Sequence, residues 1–358
     1  MIRGVDGPAL PPVSAPAVRW RDNRSVPPAP SVSAVRLAVR RLLDSEPAAR
    51  YRGVPLVVAC SGGPDSLALA AATTHFARHR NVPVHGVVVD HGLQPGSDRV
   101  ASDAAAQLTG LGCVEVDVAR VEPDGTGGTE AAARRARYEA LRLRRPEGSP
   151  VLLGHTLDDQ AETVLLGLGR GSGARSLAGM RPLDGPWARP FLGVTRRTTE
   201  QACEELGLRP WHDPHNTDPA FTRVRLRSEV LPLLEEVLQG GVAEALSRTA
   251  VQLREDADAL DAVAAGIRER VADSRELDAR SLAEHPPALR RRVLRDWLSA
   301  RGVPELSDAH LRAADALVGD WRGQGGHALP GNFALVRRRG TLLVECGGRG
   351  TEQRSSDG

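Results

Sequence analysis

The chain contains no lysine: all 47 basic residues among its 358 positions are arginine. The missing amine excludes a Schiff base between the protein and a carbonyl substrate. It also excludes a Walker-type phosphate loop, because that loop needs its own lysine. Against 45 acidic residues the formal net charge is only +2, so any contact with nucleic acid must come from local arginine patches.

Aromatic residues, paired cysteines and long apolar runs are also scarce. With 3% aromatic residues, the core must consist mainly of leucine, valine and alanine. The four cysteines form no CxxC pair, which argues against a zinc ribbon, an iron–sulfur cluster and a redox-active dithiol. No apolar stretch approaches the ~20 residues of a membrane helix. Dispersed single cysteines are typical of a reducing compartment, so we expect a cytoplasmic protein with no membrane partner.

Composition and periodicity divide the chain into five segments. Residues 1–31 hold seven of the 26 prolines and are predicted to be a disordered leader. Residues 32–227 alternate short apolar runs with helical patterns, and residues 228–285 are predicted to form a helical linker. Residues 286–346 combine helical and β-like stretches, which predicts a small α+β domain, and residues 347–358 form a flexible tail.

The segment 32–227 has the pattern of an α/β domain. Short apolar runs at 56–60, 84–89, 114–118 and 151–153 are each followed by a helical stretch. Strands that alternate with helices predict a parallel, Rossmann-like sheet with right-handed crossovers. Ligands of such sheets bind beyond the carboxyl ends of the strands, so the residues directly after each run are the first candidates for a site.

The first of these junctions carries the glycine-rich run Ser61-Gly62-Gly63-Pro64-Asp65-Ser66. Two glycines let the backbone approach an anion, and the start of the next helix offers free N–H groups and a partial positive charge. The Asp65 carboxylate would repel a bare phosphate, but it can hold a divalent cation, Mg²⁺, that bridges phosphates. The alternative is a simple turn in which serine and aspartate cap the helix.

This run, between a strand and a helix, resembles the PP-loop of the N-type ATP pyrophosphatases. Those enzymes cleave ATP between the α- and β-phosphates and adenylate a carbonyl oxygen. The resemblance implies that residues 61–66 bind ATP and that Asp65 is both a metal ligand and a catalytic residue. Several amide-forming synthetases and tRNA-modifying enzymes share the loop, so the loop alone does not choose among them.

Further motifs resemble the tRNA(Ile)-lysidine synthetases in particular. Asp90 and His91 end the second apolar run, where the family walls the adenosine site; an ordinary polar strand end is the alternative. Glu130, Arg134 and Arg137 share one helix face, where an arginine can stabilise charge on the α-phosphate. The resemblance makes Arg134 the catalytic candidate, and an exposed i,i+4 ion pair is the alternative.

The run at residues 154–163 is the most discriminating motif. His155, Asp159 and Glu162 recur at steps of four and three, so they lie on one helix face. Two carboxylates and a histidine in this place can bind a metal ion or a cationic amine. The resemblance implies that Asp159 and Glu162 recognise a lysine substrate and that His155 lies near the nucleotide. Helix capping by the aspartates is the alternative, and it accounts for only part of the run.

Arginines of the later segments are predicted to contact an RNA backbone. Arginine clusters beside glycine-rich turns suit phosphate contacts, although simple exposure to solvent is the alternative. The resemblance continues through these segments into the small C-terminal domain, which looks like the family's substrate-binding domain. The candidates are Arg170, Arg175, Arg223, Arg225, Arg227, Arg290 and Arg291, with Arg292 and Arg295 beside them.

The resemblance as a whole implies an ATP-dependent ligase. Its substrates would be free L-lysine and the wobble cytidine of tRNA(Ile) with a CAU anticodon, and its products lysidine, AMP and pyrophosphate. The oligomeric state is left open, and a homodimer is compatible with the sequence. The alternatives are another PP-loop tRNA-modifying enzyme, such as a thiolase, and a non-catalytic RNA-binding module with a relic nucleotide loop.

Overall fold

The computed structural model describes residues 28–92, 96–121, 129–171, 173–213, 218–273 and 275–346. Residues 1–27 of the predicted leader and the whole predicted tail lie outside the described residues. None of the described helices is long and apolar enough to span a membrane.

The described chain forms two compact units. The first comprises the residues up to Gly169 together with Gly179–Thr249. The second comprises Arg170–Ala178 and the residues from Ala250 onward. The boundaries of the five segments proposed from the sequence stay predictions.

Strands and helices alternate along most of the first unit. The strands of the chain are β1 Leu56–Cys60, β2 Val84–Asp90, β3 Glu115–Arg120, β4 Val151–Leu152, β5 Leu183–Asp184, β6 Trp187–Ala188, β7 Glu276–Asp278, β8 His327–Leu329, β9 Phe333–Arg338 and β10 Thr341–Cys346. The helices are α1 Pro30–Leu43, α2 Pro64–Arg80, α3 Ser97–Leu111, α4 Thr129–Arg144, α5 Leu157–Gly169, α6 Ala174–Leu177, α7 Arg196–Glu205, α8 Thr222–Arg225, α9 Leu231–Val237, α10 Val242–Val271, α11 Ala279–Ala283, α12 Pro287–Ser299 and α13 Asp308–Gly319.

The first unit is built on a six-stranded sheet in the order β3-β2-β1-β4-β6-β5. Its neighbouring strands are parallel, except that β5 pairs antiparallel with β6. The four predicted apolar runs supply β1 to β4, so the predicted parallel sheet is confirmed. The β5–β6 hairpin was not predicted, because two-residue strands are too short to leave a periodic pattern.

The central strand β1 is buried on both faces. Val58 and Cys60 belong to a core formed with α1, α2, α3 and α7. Val57 and Ala59 face the other way and pack with Leu141 of α4. A strand covered on both faces has no polar side to alternate with, which explains why this run is continuously apolar.

The second unit has its own core and an antiparallel sheet in the order β7-β10-β9-β8. Trp297 and Leu294 of α12 pack with Leu277 of β7, Leu335 of β9 and Ala314 of α13. The small α+β domain predicted from the sequence is therefore confirmed as a fold.

The long helix predicted after residue 228 is interrupted where the sequence has two glycines. Helix α9 ends at Val237, and Gly240 and Gly241 adopt φ angles of +92° and +77°, a region that favours glycine. Helix α10 then begins at Val242, whose N–H donates to the Glu235 carboxylate at 3.1 Å. The two glycines therefore separate α9 from α10 within the predicted helical linker.

Candidate active site

The glycine-rich loop joins β1 to α2 and is braced by its own residues. Gly62 has a φ of +82°, which a residue with a side chain rarely adopts. The Ser66 hydroxyl accepts from the Ser61 N–H at 3.2 Å and donates to the Gly63 carbonyl at 2.9 Å. The Trp211 N–H donates to the Gly62 carbonyl at 2.9 Å. The Ser66 hydroxyl therefore braces the loop without capping the helix, whereas Ser61 is exposed.

The start of α2 is suited to bind an anion. Gly63 is the N-cap and Pro64 is the first helical residue, and no side chain of the described residues caps this end. The free N–H groups and the dipole of a 17-residue helix are thus available to a ligand.

A cavity of about 400 Å³ opens where the loop and the end of β4 meet. The two segments touch through backbone: a Cβ at Gly154 would lie 3.1 Å from the Asp65 carbonyl carbon and oxygen. Glycine at this position therefore lets the segment before α5 approach the loop. The residues lining the cavity include Ser61, Asp65, Arg137, His155, Asp159, Arg196, Glu200, Trp211 and Arg227.

Asp159 uses its two carboxylate oxygens for different contacts. Its Oδ2 accepts from the Thr156 N–H at 2.8 Å and from the Thr156 hydroxyl at 3.0 Å. This is the reciprocal bonding of a capping box at the start of α5. Its Oδ1 accepts from Arg196 Nη2 at 2.8 Å. The capping alternative therefore accounts for one oxygen of Asp159, and its role in recognising lysine stays a prediction.

Arg196, which belongs to none of the motifs found in the sequence, is the centre of the charge network. Its Nε lies 3.4 Å from Asp65 Oδ2, and its Nη2 binds Asp159. Its backbone N–H donates to Asp158 at 2.8 Å. The Thr199 hydroxyl donates to the other oxygen of Asp65. One guanidinium thus connects the glycine-rich loop to the start of α5.

Glu162 lies fully buried behind Asp159. Its Oε1 accepts from Arg227 Nε at 2.8 Å. Its Oε2 is 3.6 Å from Arg223 Nη1 and has no hydrogen-bond donor among the described residues. A buried carboxylate oxygen without a donor is costly, and because Glu162 does not itself line the cavity, the charges that face it among the described residues are those of Arg227 and Arg223.

The helix α4 presents Arg137, rather than Arg134, to the cavity. Arg137 lines the cavity and has no hydrogen bond or ion pair in the described part of the chain. Arg134 is exposed, and its guanidinium stacks 5.1 Å from the centre of the Tyr138 ring. The side chain of Glu130, the third member of the predicted face, lies outside the described residues.

The cavity shifts the acid–base behaviour of its residues. Burial raises the pKa of the Asp65 carboxyl to about 6, and Arg196 only partly offsets this effect. Burial and the nearby Arg137 lower the pKa of His155 to about 3, so its imidazole is neutral at physiological pH. The Nδ1 atom of His155 is buried without a hydrogen-bond partner among the described residues.

The pKa values of the two predicted lysine-binding carboxylates are shifted in opposite directions. Burial acts to raise the pKa of Asp159, but Arg196 and the hydrogen bonds from Thr156 outweigh it and hold that pKa below its usual value. Burial raises the pKa of Glu162, and the bond from Arg227 does not fully compensate.

Asp90 and His91 lie outside the cavity lining. The Asp90 Oδ1 atom accepts from the Gly92 N–H at 2.9 Å and so stabilises the turn after β2. Burial, and the charge of Arg137, lower the pKa of His91, whose Nδ1 is buried without a partner in the part of the chain described. Their adenosine role stays a prediction.

Most of the predicted RNA-binding arginines have carboxylate partners within the protein. Arg225 is exposed and pairs with Glu229 at 3.0 Å, whereas Arg223 and Arg227 face Glu162. In the second unit Arg170 is exposed and Arg175 pairs with Asp261.

Arg290 and Arg291 share one carboxylate in the second unit. Arg290 makes a two-pronged contact with Asp315 at 2.7 and 3.1 Å, and both side chains are largely buried. Arg291 lies 3.7 Å from the same carboxylate. The bidentate pair therefore joins α12 to α13 as part of the fold.

The sequence of the chain matches two known domains. It matches the PP-loop domain over residues 38–234 and the TilS substrate binding domain over residues 277–343. The tRNA(Ile)-lysidine synthase of Rhodococcus erythropolis is 54% identical over 325 residues, which are 89% of this chain and 97% of that protein. The enzymes of the same name from Mycobacterium bovis and Nocardia farcinica are each 57% identical, over 80% and 81% of this chain and 89% and 91% of their own.

The chain belongs to the tRNA(Ile)-lysidine synthase family. The fold of this chain also resembles the solved structure of a U34-tRNA thiolase from Methanococcus maripaludis with its [4Fe-4S] cluster. The match covers 63% of this chain and 80% of that chain with a TM-score of 0.53. At 19% identity the likeness concerns the fold alone, and it agrees with the PP-loop fold predicted from the sequence.

The sequence around Arg196 contains a signal that could have indicated a site residue in this lysidine synthase family member. Arg196 and Arg197 begin α7, directly after the N-cap Thr195. Two cations at a helix N-terminus oppose the helix dipole, and a residue that violates a local rule often serves a site. Arg137 lies on the helix face predicted from the spacing of Glu130, Arg134 and Arg137, but spacing alone does not show which arginine of α4 turns inward.

Proposed function

We propose that this chain joins free lysine to C2 of the wobble cytidine in CAU-anticodon tRNA(Ile), converting ATP to AMP and pyrophosphate. One observation carries the proposal: a single cavity is lined both by the glycine-rich loop and by the Asp159 carboxylate of α5, and Arg227 of the same lining binds the buried Glu162. The first suits the phosphates of ATP and the second suits the ammonium of lysine. The ligase assignment agrees with family membership.

The ATP-binding side of the cavity is formed by the loop, the start of α2 and Arg137. Backbone N–H groups of the loop would bind the pyrophosphate portion of ATP, since the chain has no lysine side chain that could bind it. Arg137 is the unpaired guanidinium of the cavity lining in the described part of the chain, so we assign it, rather than Arg134, to the α-phosphate.

Asp65 fits a Mg²⁺ ion that is shared with the nucleotide. The described residues contain no cluster of three ligands that could hold a metal ion by itself. Mg²⁺ usually binds through one or two carboxylates plus substrate phosphates, which is what Asp65 beside an anion site offers. When bound, the ion would neutralise charge on the phosphates and on the pyrophosphate that leaves.

The proposed reaction has two steps. The cytosine O2 attacks the α-phosphate, which gives an adenylated base and releases pyrophosphate. The lysine ε-amine then attacks C2, and AMP leaves with its bonding electrons while the amine loses a proton. The base must be turned out of the anticodon loop to reach the cavity.

The buried carboxylates would orient the lysine. Arg227, which lines the cavity, satisfies one Glu162 oxygen, and the amine would donate to the other, Oε2, which is buried beyond the cavity lining and has no hydrogen-bond donor among the described residues. Asp159 is already bonded to Arg196, so it would set the local charge and keep Arg196 in place. The neutral His155 lies beside them with a free ring nitrogen for the nucleotide or base.

The proposed function is tested by incubating the protein with purified tRNA, ATP and labelled lysine. We expect label only in tRNA(Ile) with a CAU anticodon, and none in a matched transcript whose wobble cytidine is replaced by uridine. Pyrophosphate exchange into ATP without tRNA, or label in unrelated tRNAs, would contradict the proposal. Sulfur transfer would support the thiolase alternative, which the absence of a CxxC pair disfavours.

A further inference from the structure

One face of α7 lies against the glycine-rich loop and contacts it on three successive turns. Arg196 and Thr199 contact the two different carboxylate oxygens of Asp65. The Cys203 thiol donates to the Pro64 carbonyl at 3.3 Å. Steps of three and four along the sequence place these three residues of α7 on the same side of the helix. The helix therefore holds the end of the loop where α2 begins.

Thr199 is fully buried, and its single hydroxyl proton has two acceptors within reach. One acceptor is the Asp65 carboxylate, and the other is the Arg196 carbonyl at 2.7 Å. The carbonyl can accept from the backbone of its own helix, whereas a bond to an ionised carboxylate is roughly twice as strong as one between neutral groups. The proton therefore points toward Asp65 whenever that carboxyl group is ionised.

Thr199 and Arg196 hold the Asp65 carboxylate in different ways. The Arg196 contact is charged but long, at 3.4 Å, and the same guanidinium makes a shorter bond of 2.8 Å to Asp159. Thr199 offers a neutral donor, so it orients the carboxylate without cancelling its negative charge. Asp65 can therefore be fixed in place and still attract a cation from the cavity that it lines.

We propose that Thr199 is a positioning residue that fixes the rotation of the Asp65 carboxylate for binding the Mg²⁺ ion of the nucleotide. Thr199 is not part of the cavity lining, so it acts through Asp65 and does not touch a substrate. Mg²⁺ demands near-ideal octahedral geometry, which makes the direction of a ligand oxygen important. Rotation about the last bond of an aspartate is otherwise broad, and an unheld carboxylate could turn both oxygens toward Arg196. The inference rests on the proposed function only in taking the cation to be the one that accompanies ATP.

The test compares the wild-type protein with Thr199→Val, which removes the hydroxyl and keeps the shape of the side chain. Calorimetry measures the affinity for a non-hydrolysable ATP analogue, α,β-methylene-ATP, once with Mg²⁺ and once with EDTA. With Mg²⁺ we expect the variant to bind about tenfold more weakly, as for the loss of a hydrogen bond to a charged group. With EDTA the two proteins should bind the analogue equally, and KM for lysine should be the same in both.

Three further variants separate the hydroxyl from general effects on α7. Thr198→Val makes the same change one residue earlier, where the hydroxyl bonds to Thr195 at 2.8 Å, and it should leave both affinities unchanged. Thr199→Ser keeps the hydroxyl, so its affinity with Mg²⁺ should lie within about threefold of the wild-type value. Thr199→Ala provides a second side chain without the hydroxyl. Thermal unfolding of each variant checks that the fold is intact.

Equal affinities of the wild-type protein and Thr199→Val with Mg²⁺ would overturn the proposal. A loss of the same size with EDTA would also overturn it, because the hydroxyl would then support the loop and not the cation-binding carboxylate. Wild-type affinity that did not respond to Mg²⁺ would have the same consequence. If the Mg²⁺-dependent loss were found but the wild-type protein formed no lysidine, the proposed function would be wrong and the role of Thr199 would stand.

Discussion

Arginine and acidic side chains line a cavity in each of the two units, but the ratio of positive to negative charge differs between them. In the first unit Asp65, Asp159 and Glu162 meet Arg196 and Arg227, so most charges are matched within the protein. In the second unit one shared carboxylate, Asp261, faces several arginines. A matched network holds groups in position, and a small substrate must use the few atoms it leaves unsatisfied. An arginine excess instead attracts an anion from solution.

The largest effect is expected from Asp65→Ala, which removes the proposed metal ligand from the matched network. Lysine incorporation should fall by a factor of about 10³ or more, because phosphate charge is no longer neutralised. tRNA affinity should be nearly unchanged. Labelled-lysine assays and equilibrium tRNA binding measure the two quantities, with the exposed Asp184→Ala as the control. Full activity of Asp65→Ala would show that Asp65 is not the metal ligand proposed here.

The next effect distinguishes the two arginines of α4. Arg137→Gln should lower kcat about 10²- to 10³-fold, the range seen when one donor to a developing oxyanion is lost. Arg134→Gln should change kcat by no more than a few fold, because Arg134 is exposed and stacks on Tyr138. Steady-state kinetics with varied ATP measures kcat of both variants. Equal losses of kcat in the two variants would contradict the assignment of the catalytic role to Arg137.

Glu162→Gln tests whether the open carboxylate oxygen binds the lysine. The variant removes one negative charge from a buried position beside Arg227, so KM for lysine should rise by about 10²-fold while KM for ATP changes little. The neutral isostere keeps the volume of the side chain. Unchanged KM for lysine would mean that the amine is held elsewhere.

Arg196→Gln tests the matched network itself. Removing the guanidinium leaves Asp65 and Asp159 without their shared cation, and the free energy of unfolding should fall by about 2–4 kcal/mol. Activity should fall about tenfold through misplacement of both carboxylates. Arg197→Gln changes the exposed neighbour and should alter stability by less than about 0.5 kcal/mol. Denaturant unfolding of the two variants makes the comparison, and equal stabilities would contradict the network.

The smallest effect concerns pH. Because burial raises the pKa of Asp65 to about 6, its carboxylate is mostly ionised at pH 7 and mostly protonated at pH 5. Activity that depends on the ionised form should therefore fall about tenfold between these values.

Protein stability should respond to Asp65 in the opposite direction. Its folded pKa lies above its unfolded value, so protonation favours the fold and this contribution is lost as pH rises through about 6. Thermal unfolding of the wild-type protein and of Asp65→Asn between pH 4.5 and 7.5 would show the difference. Parallel pH profiles of the two proteins would contradict the assignment.

The sequence predicted the parts of the site that are continuous along the chain. The loop at residues 61–66 and the run from His155 to Glu162 were found because a strand end, a helix start and helical spacing are local properties. β1 to β4 were found because buried strands are continuously apolar. The β5–β6 hairpin escaped because its strands are two residues long.

Pairings between distant residues could not be predicted in this way. Arg227 was proposed as an RNA contact, yet its carboxylate partner Glu162 lies 65 positions earlier in the chain. Arg196 reaches Asp65 across 131 positions. An arginine in a sequence shows its charge but not whether the fold already supplies the counter-charge.

The close backbone contact at Gly154 has a consequence for how the two halves of the reaction are coordinated. Because no side chain separates the carbonyl of Asp65 from this residue, the loop proposed to receive phosphates and the start of the helix that carries Asp159 are in close contact, so a shift of one displaces the other. Their spacing is fixed by the absence of a methyl group. An alanine at 154 would push the loop and the start of α5 apart by a few tenths of an ångström, and it would do so without removing any charged or hydrogen-bonding side chain of the cavity.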